Sequence, residues 1–197
     1  MKKHLILLAL LSLFNFSPAW ADAPESADVV LYINPLEYKH PVKLWQFYYD
    51  YWYTQGPPVE RAAKTALGEA LGKVSMCDGS NIGKVLVRIV PSMFYNPHMT
   101  TFYGKIRADV YTGSGKPLGT FINEASRVGF LDVAPAEQIG ATYQAAMQNV
   151  VAQMKENAAL QAALKTGVPE SETSTPCSML MVLPPPKMNN LLNTFER

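Results

Sequence analysis

Histidine and cysteine are scarce in this chain, with three and two copies among 197 residues, and that scarcity removes whole classes of chemistry. Beyond the N-terminal leader described below, the histidines are His40 and His98. Neither has a second histidine or a carboxylate at metal-ligand spacing, so no zinc or redox-metal site is expected. No sign of charge dominates either: 17 Lys and Arg stand against 16 Asp and Glu, a formal net of +1. A nucleic-acid binder needs a basic field to neutralise phosphates, so no nucleic-acid partner is expected.

The usual catalytic signatures are missing as well. There is no Gly-x-Ser-x-Gly elbow. Gly79 to Lys84 falls one residue short of a phosphate loop and is followed by Val85 instead of Ser or Thr. Lys116 lacks the upstream glycine and precedes Pro117. Both therefore read as turns, because a phosphate loop needs a backbone cradle and a metal-binding hydroxyl. Glu137 and Glu156 fall on the solvated faces of helices. With no nucleophile, base and orienting group brought together, the sequence predicts a non-enzymatic protein without a cofactor.

What is present begins with an export signal. Lys2 and Lys3 precede an apolar run from Leu5 to Phe14, and Ala19-Trp20-Ala21 has the small-x-small form of a cleavage site. The run is well short of the roughly 20 residues of a spanning helix, so residues 1–21 read as a cleaved signal peptide and not as an anchor. Losing Lys2 and Lys3 takes two positive charges from the net of +1 and leaves −1. No cysteine follows the cleavage region, which excludes lipid attachment there. The expected location is the periplasm. Residues 22–167 read as one α/β domain with an aromatic loop at 38–56, and residues 168–197 as a C-terminal tail.

Cys77 and Cys177 are an even pair in an exported protein, which favours a disulfide over two free thiols. Such a bridge ties the tail to the middle of the domain. Closing so long a loop stabilises by roughly 4 to 5 kcal/mol in the chain-entropy model.

Asp28 to Ile33 is a β-rich run ended by Asn34-Pro35. Gly56-Pro57-Pro58 breaks the chain and opens a helix, in which Val59, Ala62, Ala63, Ala66, Leu67, Ala70, Leu71 and Val74 recur at helical spacing. Lys84 to Phe94 is rich in Val and Ile. From Thr100 to Tyr111, Phe102, Ile106, Ala108 and Val110 alternate with Thr101, Lys105, Arg107 and Asp109, the period of a half-buried strand. Gly113 to Lys116 turns the chain into a third strand, Leu118 to Val128. Pro135 opens a second helix with Ile139, Tyr143, Ala146, Met147, Val150 and Met154 facing inward, running weakly on to Gly167. The expected fold is α+β, a two-layer sandwich in the order strand, helix, three-strand antiparallel meander, helix. In the tail, Met179 to Leu183 followed by Pro184-Pro185-Pro186 reads as an added edge strand or an extended partner-binding segment.

The densest feature is aromatic. Tyr38, Trp45, Phe47, Tyr48, Tyr49, Tyr51, Trp52 and Tyr53 crowd into one short segment. On a helical projection Leu44, Phe47, Tyr48, Tyr51 and Trp52 share a face, with Trp45, Tyr49 and Tyr53 on others. Either the whole segment packs as core, or one face does and the excess apolar surface binds something. Trp45, Tyr48, Tyr49, Tyr51, Trp52 and Tyr53 are the candidate binding residues. Arg88, Lys105 and Arg107 read as a solvated sheet face or as contacts to anionic headgroups.

Several of these elements together resemble a known group. They are the first strand, the run Tyr51-Trp52-Tyr53-Thr54-Gln55-Gly56-Pro57-Pro58, the helix Val59 to Val74, the meander with Asp109-Val110-Tyr111 before its turn, and the terminal helix. Over residues 28–157 the pattern resembles the small envelope proteins that accompany ABC-type lipid and polysaccharide export, most of all the auxiliary lipoproteins of ABC transporters. The related outer-membrane lipoproteins of lipopolysaccharide and exopolysaccharide assembly share the layered plan. The chain departs from them in lacking a lipidated cysteine and in carrying the Cys177 tail. The resemblance implies an accessory or adaptor role with an envelope protein partner or self-association, the alternative being lipid or polysaccharide binding.

Overall fold

The structure is a computed structural model that describes residues 26–186. The expected signal peptide at residues 1–21 and the last part of the expected tail, residues 187–197, lie outside the described residues. The chain runs β1 (Ala27–Ile33), α1 (Pro35–Lys39), β2 (Pro41–Trp45), β3 (Asp50–Thr54), α2 (Gly56–Leu71), β4 (Val74–Met76) and β5 (Gly83–Asn96). Then come β6 (Thr101–Thr112), β7 (Pro117–Val128), α3 (Pro135–Glu156), α4 (Ala158–Thr166) and a 3-10 turn (Cys177–Met181). A five-stranded sheet has the order β4-β1-β5-β6-β7, and β2 and β3 form a separate two-stranded sheet. β1 is parallel to both β4 and β5, whereas β5, β6 and β7 make the antiparallel meander. The expected two-layer α/β plan is the observed one.

The inner face of the sheet presents Val29, Leu31, Ile33, Val85, Val87, Ile89, Ile106, Ala108 and Val110 to the helices, all of them buried. α2 answers with Val59, Ala62, Ala63, Ala66, Leu67 and Leu71. Small alanines at helical spacing let its backbone lie close to the strands. α3 contributes Ile139, Tyr143, Ala146, Met147, Val150 and Met154.

The helix α2 ends earlier than the apolar stripe predicts. Gly72 takes φ +107°, and a Cβ there would collide with the Asp28 carboxylate. That carboxylate accepts the Lys73 amide at 2.9 Å. The next residue, Val74, pairs with Val29 in the edge strand β4. Position 74 is thus apolar for a strand and not for a helix. The second helix also divides: Asn157 leaves the helical region, and its Oδ1 accepts the Leu160 amide at 2.9 Å, capping α4 as a new start.

On the outer face, Val30, Tyr32, Leu86 and Tyr111 are buried beneath Cys177 and Leu180. Cys77 and Cys177 are joined in a disulfide with a Cα–Cα distance of 5.7 Å, as expected. Among the described residues, the tail docks on its own domain, as the bridge implies, but forms no edge strand. It packs as a 3-10 turn flat on the sheet. Proline lacks the N–H a strand ladder needs, so the Pro184–Pro186 run offers carbonyls only. The Tyr111 hydroxyl donates to the Pro184 carbonyl at 3.0 Å, and Arg88 Nη1 donates to the Leu180 carbonyl at 3.2 Å.

Beneath this strap lies Asp109, fully buried. Arg88 Nη2 reaches its Oδ2 at 2.7 Å, while Arg107 Nε and the Thr120 hydroxyl reach its Oδ1 at 3.0 and 2.7 Å. Burial raises the carboxyl pKa, but the hydrogen bonds from Thr120, Arg88 and Arg107 outweigh it and hold the group below its ordinary 3.8. Arg88 is thus committed to an internal ion network and not to a solvated face, while Arg107 joins the same carboxylate and stays about a third exposed. Lys105 alone of the three basic residues is exposed.

Two outcomes are expected. Cys177→Ser should lower stability by about 2 to 5 kcal/mol in denaturant unfolding, and reductant should reproduce the loss in the parent chain. Asp109→Asn should cost about 1.5 to 3 kcal/mol at neutral pH, because it removes the charge-assisted bonds that the buried carboxylate accepts from two partly exposed guanidinium groups. Because the native carboxyl pKa is depressed, its contribution is fully present above about pH 4 and fades as pH falls through the lowered native value. The stabilities of the parent and of the Asp109→Asn variant should therefore converge in acid.

Candidate functional site

The aromatic segment is a β-hairpin. The helical projection is corrected by the pairing of Val42 with Tyr53, Lys43 with Trp52, Leu44 with Tyr51 and Trp45 with Asp50. β-Branched and aromatic residues favour a pleated, half-buried surface, and the segment has a period of two. Val42, Leu44, Tyr51 and Tyr53 point inward to the main core. Lys43, Trp45, Asp50 and Trp52 point outward and are exposed. The excess of apolar surface read from the sequence arises because the helical period mixes these two faces.

The inward face anchors the hairpin. Leu44 is fully buried, and Tyr53 is only 8% exposed. The Tyr53 and Tyr143 hydroxyls lie 3.3 Å apart, and Tyr143 donates to Gln55 Oε1 at 3.0 Å. Since the Tyr143 proton goes to Gln55, Tyr53 is the donor to Tyr143. Burial pushes the Tyr53 hydroxyl up to about 12 and raises that of Tyr143 as well, so both keep their protons at neutral pH. This trio joins β3 and the entry of α2 to the middle of α3.

The outward face and the tip form the candidate surface. The Gln46 amide donates to the Tyr49 carbonyl at 3.0 Å and closes the turn. Tyr48 stands at the apex, 95% exposed. Trp45 is 49% exposed and meets Phe47 edge-on at 5.3 Å between ring centroids. Phe47 in turn meets His98 at 4.7 Å. Lys43 lies 6.0 Å over the Trp52 ring and 3.4 Å from the Asp50 carboxylate. Tyr49 is partly exposed near Asp132, and desolvation raises its pKa.

His98 belongs to the β5–β6 turn, where Asn96 Oδ1 accepts the amides of His98 and Met99 at 3.0 and 3.2 Å. This Asx turn holds an aromatic and apolar group beside the hairpin. Phe94 and Met99 are largely exposed, and Phe94 packs 6.1 Å from Tyr103. A groove of about 330 Å³ runs between the two elements, lined chiefly by Trp45, Met93, Phe94, Pro97 and His98. The surface is therefore shared between two hairpins.

Of the six residues expected to bind, Trp45, Tyr48, Tyr49 and Trp52 are exposed here. Tyr51 is half-buried and stacks at 6.5 Å on Tyr53, which lies in the core. Phe94, His98 and Met99 were missed by sequence reasoning. The signal for them was present: Phe94-Tyr95-Asn96-Pro97-His98-Met99 puts aromatics on both sides of a turn dipeptide. Among the described residues, no cluster of His, Cys, Asp and Glu is placed to hold a metal, and no helix is long and apolar enough to cross a membrane.

No protein-family model matches the chain, and no curated protein matches it. Among solved structures, it is similar to a crystal structure described as "a putative lipoprotein from Caulobacter crescentus". The identity is 9% and the TM-score 0.37, over 72% of this chain and 94% of the other. So distant a likeness assigns no function.

The division of the hairpin into two faces has a direct consequence. Leu44→Ala should cost about 2 to 5 kcal/mol through the cavity it leaves. Trp45→Ala, one position away, should change stability by no more than about 1 kcal/mol, because its face lacks a covering layer. Thermal or chemical unfolding of the two variants measures the difference.

Proposed function

We propose that this chain is a non-enzymatic accessory protein of the cell envelope that docks a protein partner through its aromatic end. The observation that carries the reading is the grouping of Trp45, Phe47, Tyr48, Phe94 and Met99, exposed at one end of the molecule on two pinned hairpins. Exposed aromatics on a rigid base are the residues that commonly dominate interface energy, since they add apolar contact with little entropy to lose. The hairpin anchors through Leu44, Tyr53 and Tyr143, so a partner meets a preformed surface.

The disulfide supports an oxidising compartment, and the leader pattern at residues 1–21 supports export through the inner membrane. Together these favour the periplasm. A second reading, binding of a lipid or polysaccharide chain, draws on the groove beside Trp45 and Phe94. Its mostly apolar walls with Asn96 and His98 at hand have the composition of a small ligand cleft.

Affinity purification from crosslinked envelopes should recover a discrete protein with the parent chain and lose it with Trp45→Ala or Tyr48→Ala. Both variants should unfold like the parent. Recovery of the same companion by the folded variants would refute docking at this end. Binding of the parent to liposomes or polysaccharide, in place of any protein companion, would favour the second reading.

A further inference from the structure

A second site lies on the outer face of the sheet, under α1 and beside the strap. A pocket of about 240 Å³ is lined by Tyr32, Asn34, Glu37, Arg88, Val90 and Met181. Tyr32 is only 6% exposed, yet its hydroxyl has no hydrogen-bond partner among the described residues, and neither has the buried Oε2 of Glu37. Leaving a buried polar group unpaired costs about 1 to 3 kcal/mol, so two such groups facing one cavity call for an occupant.

The chemistry of the walls narrows that occupant. Arg88 is fixed by Asp109 and by the Leu180 carbonyl, and stands in the pocket as a positive charge. Glu37 brings a carboxyl group to the same lining, and burial raises its pKa while Arg88 opposes the rise. A cation is repelled by Arg88, and an anion by ionised Glu37. A neutral hydroxyl group meets neither penalty. One hydroxyl can donate to Glu37 while its neighbour accepts from Tyr32, so that a vicinal pair satisfies both unpaired groups. Val90 and Met181 supply an apolar wall for the C–H face of a ring. The volume lies below the usual range for drug-sized ligands of about 300 to 1,000 Å³, as suits one small ring.

We propose that this pocket binds a single ring of a neutral sugar or cyclic polyol, with adjacent hydroxyls held by Tyr32 and Glu37. The site is separate from the aromatic end, and its occupancy does not depend on the docking reading above. Met181 comes from the strap, so the pocket is complete only with the tail in place on the sheet.

The test is calorimetric titration of the full chain with D-glucose, D-mannose, D-galactose and myo-inositol at millimolar concentrations. Saturable binding of at least one is expected. Tyr32→Phe and Glu37→Gln should each weaken it about tenfold, the equivalent of about one hydrogen bond to a buried group, and Trp45→Ala should leave it unchanged. Tyr32→Phe removes only a hydroxyl without a protein partner, so it should fold and match or exceed the parent in stability. Absence of saturable binding by all four compounds would overturn the proposal, as would binding by the two pocket variants equal to that of the parent. A Tyr32→Phe chain that is less stable and binds no sugar would show an internal water site only, and would overturn it too.

Discussion

A sheet with two apolar faces needs two covers, and most of this molecule can be understood as the means of supplying them. The β5–β6 ladder lies at its centre, with Val85, Val87 and Ile89 turned one way and Leu86 the other. The inner face is covered by α2 and α3, whose apolar stripes lie along it. Among the described residues, no long helix covers the outer face. Its cover is the 3-10 turn that follows α4, pinned by the Cys77–Cys177 bridge. Without that tether, a short segment ending in prolines would have little reason to order, since few residues bury enough apolar area to offset the entropy of fixing them.

Polar groups inside the fold serve to fix those covers in place. Asp109 gathers Arg88, Arg107 and Thr120, and Arg88 also holds the strap through the Leu180 carbonyl. A buried network of this kind adds less net stability than its short bonds suggest. It does tie the strap to the sheet, because Arg88 bonds both the Asp109 carboxylate and the Leu180 carbonyl. The Tyr53–Tyr143–Gln55 trio does the same for the aromatic hairpin. Both devices leave a neighbouring surface exposed while its support is rigid.

Much of the layered plan was legible in the sequence because its signals are local. Helical spacing marked α2 and α3, period-two alternation marked β6, and Gly113 to Lys116 marked the β6–β7 turn. The disulfide followed from an even cysteine pair in a chain that opens on an export-type pattern. The misses have physical reasons. Val74 fits a helical stripe and a strand equally well, and the choice was made by Gly72 closing against Asp28, whose carboxylate takes the amide of Lys73 from 45 residues away. The aromatic segment defeated the helical projection because aromatics dense enough to cover every face hide their own period. The tail's docking on its own domain was legible from the cysteine pair, but not its place on the sheet face, which depends on Arg88 and Tyr111 far away in sequence. The unpaired hydroxyl of Tyr32 was beyond sequence reasoning altogether, since an absent partner leaves no pattern.

Whether the aromatic end is a working interface in the cell decides what the rest of the fold is for. Trp45, Tyr48 and Trp52 stand on a β-hairpin whose other face is locked into the core, so the surface is rigid and outward-facing. The most direct measurement is site-specific photo-crosslinking in living cells, with a benzoyl-phenylalanine placed at position 48 and, as a control, at the exposed helix position Glu69. One discrete envelope protein captured from position 48, and not from position 69, is the predicted result. Identical capture from both positions, or none from position 48 in a folded and exported chain, would contradict it.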